Sequence, residues 1–160
     1  PYYLTWKARE YGFHTTLIEN SMIINDGQPE YCVERVMHIL NRHKKAVNGS
    51  KILVLGIAYK QDISDYRESP AVCVMKGLCD AGADVEYYDP WVPEIRGMYG
   101  IYRKGMQMIT PDIISGFDLI VITAAHTDIN YGMIQKHAKF IFDTKNVMKE
   151  IEERSNIEVL

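Results

Sequence analysis

Lys51-Ile52-Leu53-Val54-Leu55-Gly56-Ile57-Ala58-Tyr59-Lys60 is the stretch on which the fold turns. Ile52 to Leu55 is an unbroken run of leucine and β-branched residues, the mark of a strand covered on both faces. Gly56 ends it, and a polar loop follows to about Glu68. Ser69 is placed to cap a helix running from about Pro70 to Ala81. Pro70 sits in its first turn, where the missing amide donor costs little. Gly82 is a natural stop. Strand, loop and helix make the opening of a βαβ unit.

Downstream the alternation continues. Asp84 to Asp89 reads as the second strand, closed by Pro90. Trp91 to Gly105, with Gly97, Gly100 and Gly105, reads as an irregular surface loop leading to a short strand near Met106–Ile109. Asp118 to Thr123 is the clearest buried strand. A helix near Tyr131–His137, a strand at Lys139–Phe142 and a helix near Val147–Arg154 complete the pattern. Such alternation predicts an α/β fold: a doubly wound, Rossmann-like parallel sheet with helices on both faces.

Upstream the texture is helical. Leu17 to Ile24 forms one predicted segment. In Pro29–Lys45, Val33, Val36, Met37 and Leu40 recur at the spacing of one apolar helix face. Asp26-Gly27 and Pro29 punctuate the start of that second helix, and Lys44 and Lys45 suit its end. Asn48-Gly49-Ser50 reads as a turn. The expected division is a helical segment over residues 1–49 and an α/β domain over 50–160.

Composition narrows the function. The chain has 160 residues, 47% hydrophobic and 24% charged, which suits one globular domain with an appended element. A net charge of -3 gives no electrostatic reason to expect nucleic acid or an anionic membrane as partner. No apolar run approaches the ~20 residues of a membrane span, and the opening lacks the pattern of a secretory signal. Three unpaired cysteines, Cys32, Cys73 and Cys79, fit a reducing cytoplasm better than a disulfide framework, and they lack zinc-ligand spacing. The chain opens at Pro1 without Met, which reads as a piece of a longer polypeptide.

In an open α/β sheet a ligand sits at the carboxyl ends of the strands, where their order reverses. The loop after Leu55 is the most informative of these ends. Gly56 and Ala58 are small enough for close backbone approach to a ligand. Lys60 offers a point charge, Arg67 a planar fork, and the helix start after Ser69 further amide donors, all suited to phosphate oxygens. This is not a G-x-G-x-x-G dinucleotide loop. Asp89 lies 33 residues beyond Gly56 (89 − 56), too far for the acid expected about 20 residues on to hold a ribose.

Several separated motifs carry a resemblance. Val54 to Lys60 and then Asp65-Tyr66-Arg67-Glu68-Ser69-Pro70 resemble the signature opening the UDP-binding domain of the UDP-glucose/GDP-mannose dehydrogenase family. Tyr88-Asp89-Pro90, Thr123-Ala124-Ala125-His126 and Asp143-Thr144-Lys145-Asn146 extend the match in order. Pro1 to Gly12 is similar to the segment following the catalytic cysteine in the branch acting on UDP-N-acetylglucosamine-type sugars.

The resemblance implies oxidation of a sugar C6 alcohol to a carboxylate with NAD as oxidant, by an enzyme that is a homodimer or larger. It implies that NAD is bound by an amino-terminal domain, and that this domain and the nucleophilic cysteine both lie outside this chain, so that the isolated chain is inactive. Tyr59 and Lys60 resemble the pair contacting the UDP-sugar. Arg67 resembles the arginine that reaches the NAD. Lys145 takes the place of a substrate-binding arginine in a D-x-R-N motif, keeping the charge and losing the bidentate fork.

Plainer readings stand beside these. Lys60 and Arg67 are also what solvated loop charges look like, and Tyr59 on residue type alone reads as packing. His126 reads as a satisfied loop histidine. Cys73 and Cys79 read as apolar filling, and Cys32, mid-helix without an activating base, is rejected as a nucleophile. A regulatory nucleotide- or CoA-binding module without catalysis is the alternative function. A phosphoreceiver would need clustered acids where Gly56-Ile57-Ala58 stands.

Overall fold

The computed structural model describes residues 1–160. Five parallel strands, β1 (Lys51–Leu55), β2 (Asp84–Tyr88), β5 (Leu119–Ile122), β6 (Ile141–Asp143) and β7 (Ile157–Val159), lie in the order β2-β1-β5-β6-β7. A separate antiparallel pair, β3 (Glu94–Met98) and β4 (Ile101–Lys104), forms a hairpin. The helices are α1 (Tyr2–Glu10), α2 (Thr16–Arg42), α3 (Pro70–Asp80), α4 (Pro111–Ser115) and α5 (Tyr131–His137).

The apolar runs alternate between two cores because successive strand residues point to opposite faces. Ile52, Val54, Leu119, Val121 and Phe142 pack with Val36, Leu40, Val72 and Met75 of α2 and α3. Leu53, Leu55, Ile120, Ile122 and Ile141 pack with Ile114 of α4 and Ile134 of α5. Every residue of β1 from Ile52 to Leu55 is fully buried. Each such side chain contributes about 1.5–3 kcal/mol. The doubly wound parallel sheet expected from the sequence is present.

α3 starts as its sequence dictates: the Ser69 hydroxyl accepts from the Ala71 amide at 3.3 Å, and Pro70 occupies the first turn. α2 differs from expectation. It is one helix through Asp26-Gly27 and Pro29 instead of two. Pro in a helix interior costs roughly 3 kcal/mol. Burial of Cys32, Val36, Ile39 and Leu40 against the sheet and α3 offsets that cost. Gly77 of α3 allows the contact, since a Cβ there would stand 2.8 Å from Val33 Cγ2. The buried face is rotated from the expected one, leaving Met37 exposed.

The stretch Trp91–Gly105 is the β3–β4 hairpin, not an irregular loop, and Met106–Ile109 is not a strand. The hairpin turn runs through Tyr99 and Gly100, both at positive φ. The Met106 amide donates to the Tyr87 carbonyl at 2.8 Å, so this segment covers the edge of β2 without extending as a strand. Val147–Arg154 forms turns instead of a helix. Glu150, Glu152 and Glu153 would sit near that helix's negative end, and Arg154 Nη1 instead donates to the Met148 carbonyl at 2.8 Å. The chain then adds β7, whose Glu158 is held by Arg35 and Arg42 of α2. No helix is long and apolar enough to cross a membrane.

Candidate functional site

The sheet order reverses between β1 and β5: α3 after β1 packs on one face, α5 after β5 on the other. Their carboxyl ends therefore meet at the switch point, where open α/β sheets place their ligands. Tyr59 and Lys60 stand here, on the loop leaving β1, with both side chains exposed. The Lys60 ammonium lies 5.8 Å from the Tyr59 ring centroid. Lys145 stands exposed on the loop leaving β6. β5 lies between β1 and β6, so the two loops leave the sheet roughly 10 Å apart.

Arg67 lies farther along the β1 loop. Its Nε and Nη2 donate to Asp65 Oδ1 and Oδ2 at 2.9 and 2.8 Å, while 85% of its side chain remains exposed. The guanidinium pulls the Asp65 carboxyl down to about 2. The backbone of Lys145 is held by buried Asp143, whose Oδ1 accepts from the Lys145 amide at 3.0 Å and Oδ2 from the Met148 amide at 2.9 Å.

Two expectations for this loop are corrected. Gly56 (φ +86°) is small because of protein, not ligand. A Cβ there would lie 2.5 Å from Ala124 Cβ and 2.7 Å from the Ala124 amide nitrogen. Ala58 is likewise buried. The start of α3 is not an open anion site either. Ser69 is itself buried, accepts from Ala71 and donates to the Ala58 carbonyl at 3.4 Å.

Beneath the loop lies a polar network that sequence reasoning missed. Asp89, at the end of β2, accepts five hydrogen bonds. Oδ2 takes the amides of Ile57 at 2.6 Å and Ala58 at 2.9 Å, together with His126 Nε2 at 3.0 Å. Oδ1 takes the amides of Trp91 at 2.8 Å and Val92 at 3.0 Å. Burial opposes its charge, but the His126 bond and the amides of Ala58 and Trp91 prevail and hold its pKa below the usual carboxylate range.

His126, fully buried, is the satisfied loop histidine expected. Its Nδ1 accepts from the Asp62 amide at 3.0 Å, which assigns the proton to Nε2. Residues 89 and 126 each lie in a sequence motif, but no local pattern links side chains 37 positions apart.

The same network decides what cannot bind here. In a dinucleotide domain the first-loop amides and the acid ending β2 meet pyrophosphate and ribose. Here the Ile57 and Ala58 amides and Asp89 are bonded to each other. These strand ends therefore lack the free amides and free acid that a dinucleotide meets. A shallow cavity of about 680 Å³ opens at the end of β2 against the hairpin, lined among others by Tyr88, Glu94, Arg96, Lys104 and Gln107. None of Tyr59, Lys60, Arg67 or Lys145 lines it, and Arg96 is paired with Glu94.

Cys32 is buried in α2, and burial pushes its thiol up although Lys145 pulls it down, which agrees with its rejection as a nucleophile. Cys73 and Cys79 are half-buried on α3, Cys79 against the core. No group of three or more His, Cys, Asp or Glu side chains is arranged to hold a metal ion.

Comparisons with known proteins fit this architecture. UDP-N-acetyl-D-glucosamine 6-dehydrogenase of Pseudomonas aeruginosa is 28% identical over 94% of this chain and 36% of its own length. UDP-N-acetyl-D-mannosamine dehydrogenase of Methanocaldococcus jannaschii is 30% identical over 96% of this chain and 35% of its own. The solved structure of UDP-D-ManNAc dehydrogenase from Pyrococcus horikoshii superposes with a TM-score of 0.76 at 25% identity, over 95% of this chain and 35% of that one. The chain thus spans about a third of the length of these relatives. The profile described as "UDP-glucose/GDP-mannose dehydrogenase family, UDP binding domain" matches residues 53–150, and the chain belongs to that family.

Proposed function

We propose that this chain is the UDP-sugar-binding part of an NAD-dependent nucleotide-sugar 6-dehydrogenase, oxidising the C6 alcohol of a UDP-hexose or UDP-N-acetylhexosamine to the carboxylate. The supporting observation is the pair Tyr59 and Lys60, exposed on a fastened loop at the switch point of the sheet. Lys60 neutralises diphosphate charge from the β1 side and Lys145 from the β6 side. Tyr59 offers a ring face and a hydroxyl to the nucleotide-sugar. Arg67 is the chain's contact to NAD through the edge of its guanidinium that Asp65 leaves free, since 85% of the side chain is exposed and the strand ends do not fit the dinucleotide itself. NAD, when bound elsewhere in the enzyme, accepts hydride.

The division at residues 49 and 50 is part of the same proposal, with 1–49 as the helical link to the rest of the enzyme. Tyr2, Tyr3, Trp6, Phe13, Leu17, Ile23 and Ile24 of that link are each more than half exposed. An apolar surface of this extent suits a second subunit. Cytoplasmic placement and a role in polysaccharide synthesis follow from the same reading.

The test is calorimetric titration of the chain with UDP, UDP-N-acetylglucosamine and NAD. Uridine nucleotide binding lost in Lys60→Ala is expected; binding of NAD without UDP would overturn the reading.

A further inference from the structure

Tyr59, Lys60 and Gln61 form a three-residue span between two fastened points. At one end the Ala58 amide donates to Asp89 Oδ2 at 2.9 Å; at the other the Asp62 amide donates to His126 Nδ1 at 3.0 Å. His126 and Asp89 are joined at 3.0 Å, and both side chains are fully buried. The whole span is thus referenced to one His–Asp pair whose side chains are closed off from solvent.

We propose that His126 and Asp89 are positioning residues for the nucleotide-sugar loop, clamping both ends of the span that presents Tyr59 and Lys60. The inference rests on the reading of Lys60 given above. It goes beyond that reading by assigning a task to two residues whose side chains are buried beneath the loop.

The polarity of the clamp is specific. A backbone amide can only donate, so His126 Nδ1 must accept, and the proton on Nε2 must then face Asp89. Asp62 sits at φ +58°, a conformation that needs holding in a non-glycine residue. Its carboxylate supplies the hold, accepting from the Thr127 amide at 2.9 Å and the Thr127 hydroxyl at 3.0 Å. Within the span, the Tyr59 amide donates to the Asp65 carbonyl at 2.8 Å, which ties it to the outer loop. The β5 loop therefore fixes the β1 loop through adjacent residues, His126 and Thr127. Both bonds carry geometry rather than charge to the exposed side chains.

The two faces of the imidazole can be separated by substitution. His126→Asn places an amide oxygen near the position of Nδ1 and can accept from Asp62, but gives up the link to Asp89. His126→Gln keeps a donor near Nε2 for Asp89 and leaves the Asp62 amide unbonded. Wild type, both variants and Lys60→Ala, each as the full 160-residue chain, are titrated with UDP by NMR, which reads weak affinity and amide exchange together.

The expected result is that His126→Gln weakens UDP binding about tenfold, the size of one lost hydrogen bond. Exchange at the Asp62 amide should accelerate while the β1 and β5 amides stay protected. His126→Asn should keep protection at Asp62 and bind UDP with an affinity between those of wild type and His126→Gln, because one of the two links of the clamp survives. Unchanged UDP binding in His126→Gln, against loss in Lys60→Ala, overturns the clamp alone. Equal losses in both histidine variants, with exchange rising across the sheet, reduce the pair to general stability and also overturn it. UDP binding that is absent in the wild type or indifferent to Lys60→Ala overturns the underlying site reading, and the clamp's nucleotide role with it.

Discussion

Gly56 and Ala124 meet where the sheet reverses: a Cβ on residue 56 would lie 2.5 Å from the Ala124 methyl carbon and 2.8 Å from its carbonyl oxygen. The loops leaving β1 and β5 are thus packed backbone to backbone at the switch point. Substituting Gly56→Ala adds a methyl at φ +86° where two backbone atoms already stand. The expected loss is about 2–4 kcal/mol, from strain and overpacking together, read as a lower urea midpoint with unchanged slope.

Lys60 is exposed and makes no ion pair, so its removal should leave the fold intact. Lys60→Ala is expected to keep the melting temperature within a degree or so while weakening UDP binding by about 10- to 100-fold, the worth of a charge-assisted hydrogen bond. Calorimetry beside a thermal melt checks both halves.

Lys145 tests the departure from the D-x-R-N motif that the family resemblance implies. Its backbone is fixed by Asp143, so a longer side chain starts from the same place. Lys145→Arg should tighten UDP binding by about fivefold through a bidentate contact, and Lys145→Ala should weaken it. Indifference to both substitutions would remove this residue from the site.

Acid should unfasten the loop. Asp89's folded-state pKa lies below its unfolded value of about 3.9. Its contribution to stability is therefore complete above that value and is lost as pH falls through the folded pKa. Asp89→Asn should flatten this acid limb in melts taken from about pH 5 down to about pH 2. It should also cost about 3 kcal/mol or more at neutral pH, because an amide NH₂ would face amide donors now shared by a carboxylate.

The helical link should self-associate. Trp6 and Leu17 are 56% and 81% exposed, in a stretch rich in other exposed aromatics and isoleucines. Sedimentation is expected to show a dimer or larger species that Leu17→Glu or Trp6→Glu converts to monomer without changing the melting of the α/β region.

Much of this molecule is legible in its residue pattern. Ile52–Leu55 and Leu119–Ile122 are buried on both faces, so their composition alone declares parallel strands, and Ser69-Pro70 declares a helix start. Local chemistry governs such elements. It also governs the placing of Tyr59, Lys60 and Lys145 at strand ends, because motif order follows strand order. What escaped was set by distant partners. α2 continues through Pro29 because a core assembled from later residues holds its second half. β7 exists as a three-residue strand beside β6, with Arg35 and Arg42 reaching it from more than a hundred positions away. Gly56 serves Ala124, and Asp89 serves His126 and the β1 loop; neither partnership leaves a periodic or local trace. Residue order alone specifies a doubly wound domain carrying the motifs of this family, because apolar pattern and capping act within a few residues. Which polar groups remain free for a ligand was left to the assembled fold, because hydrogen-bond satisfaction is settled where separate strand ends converge.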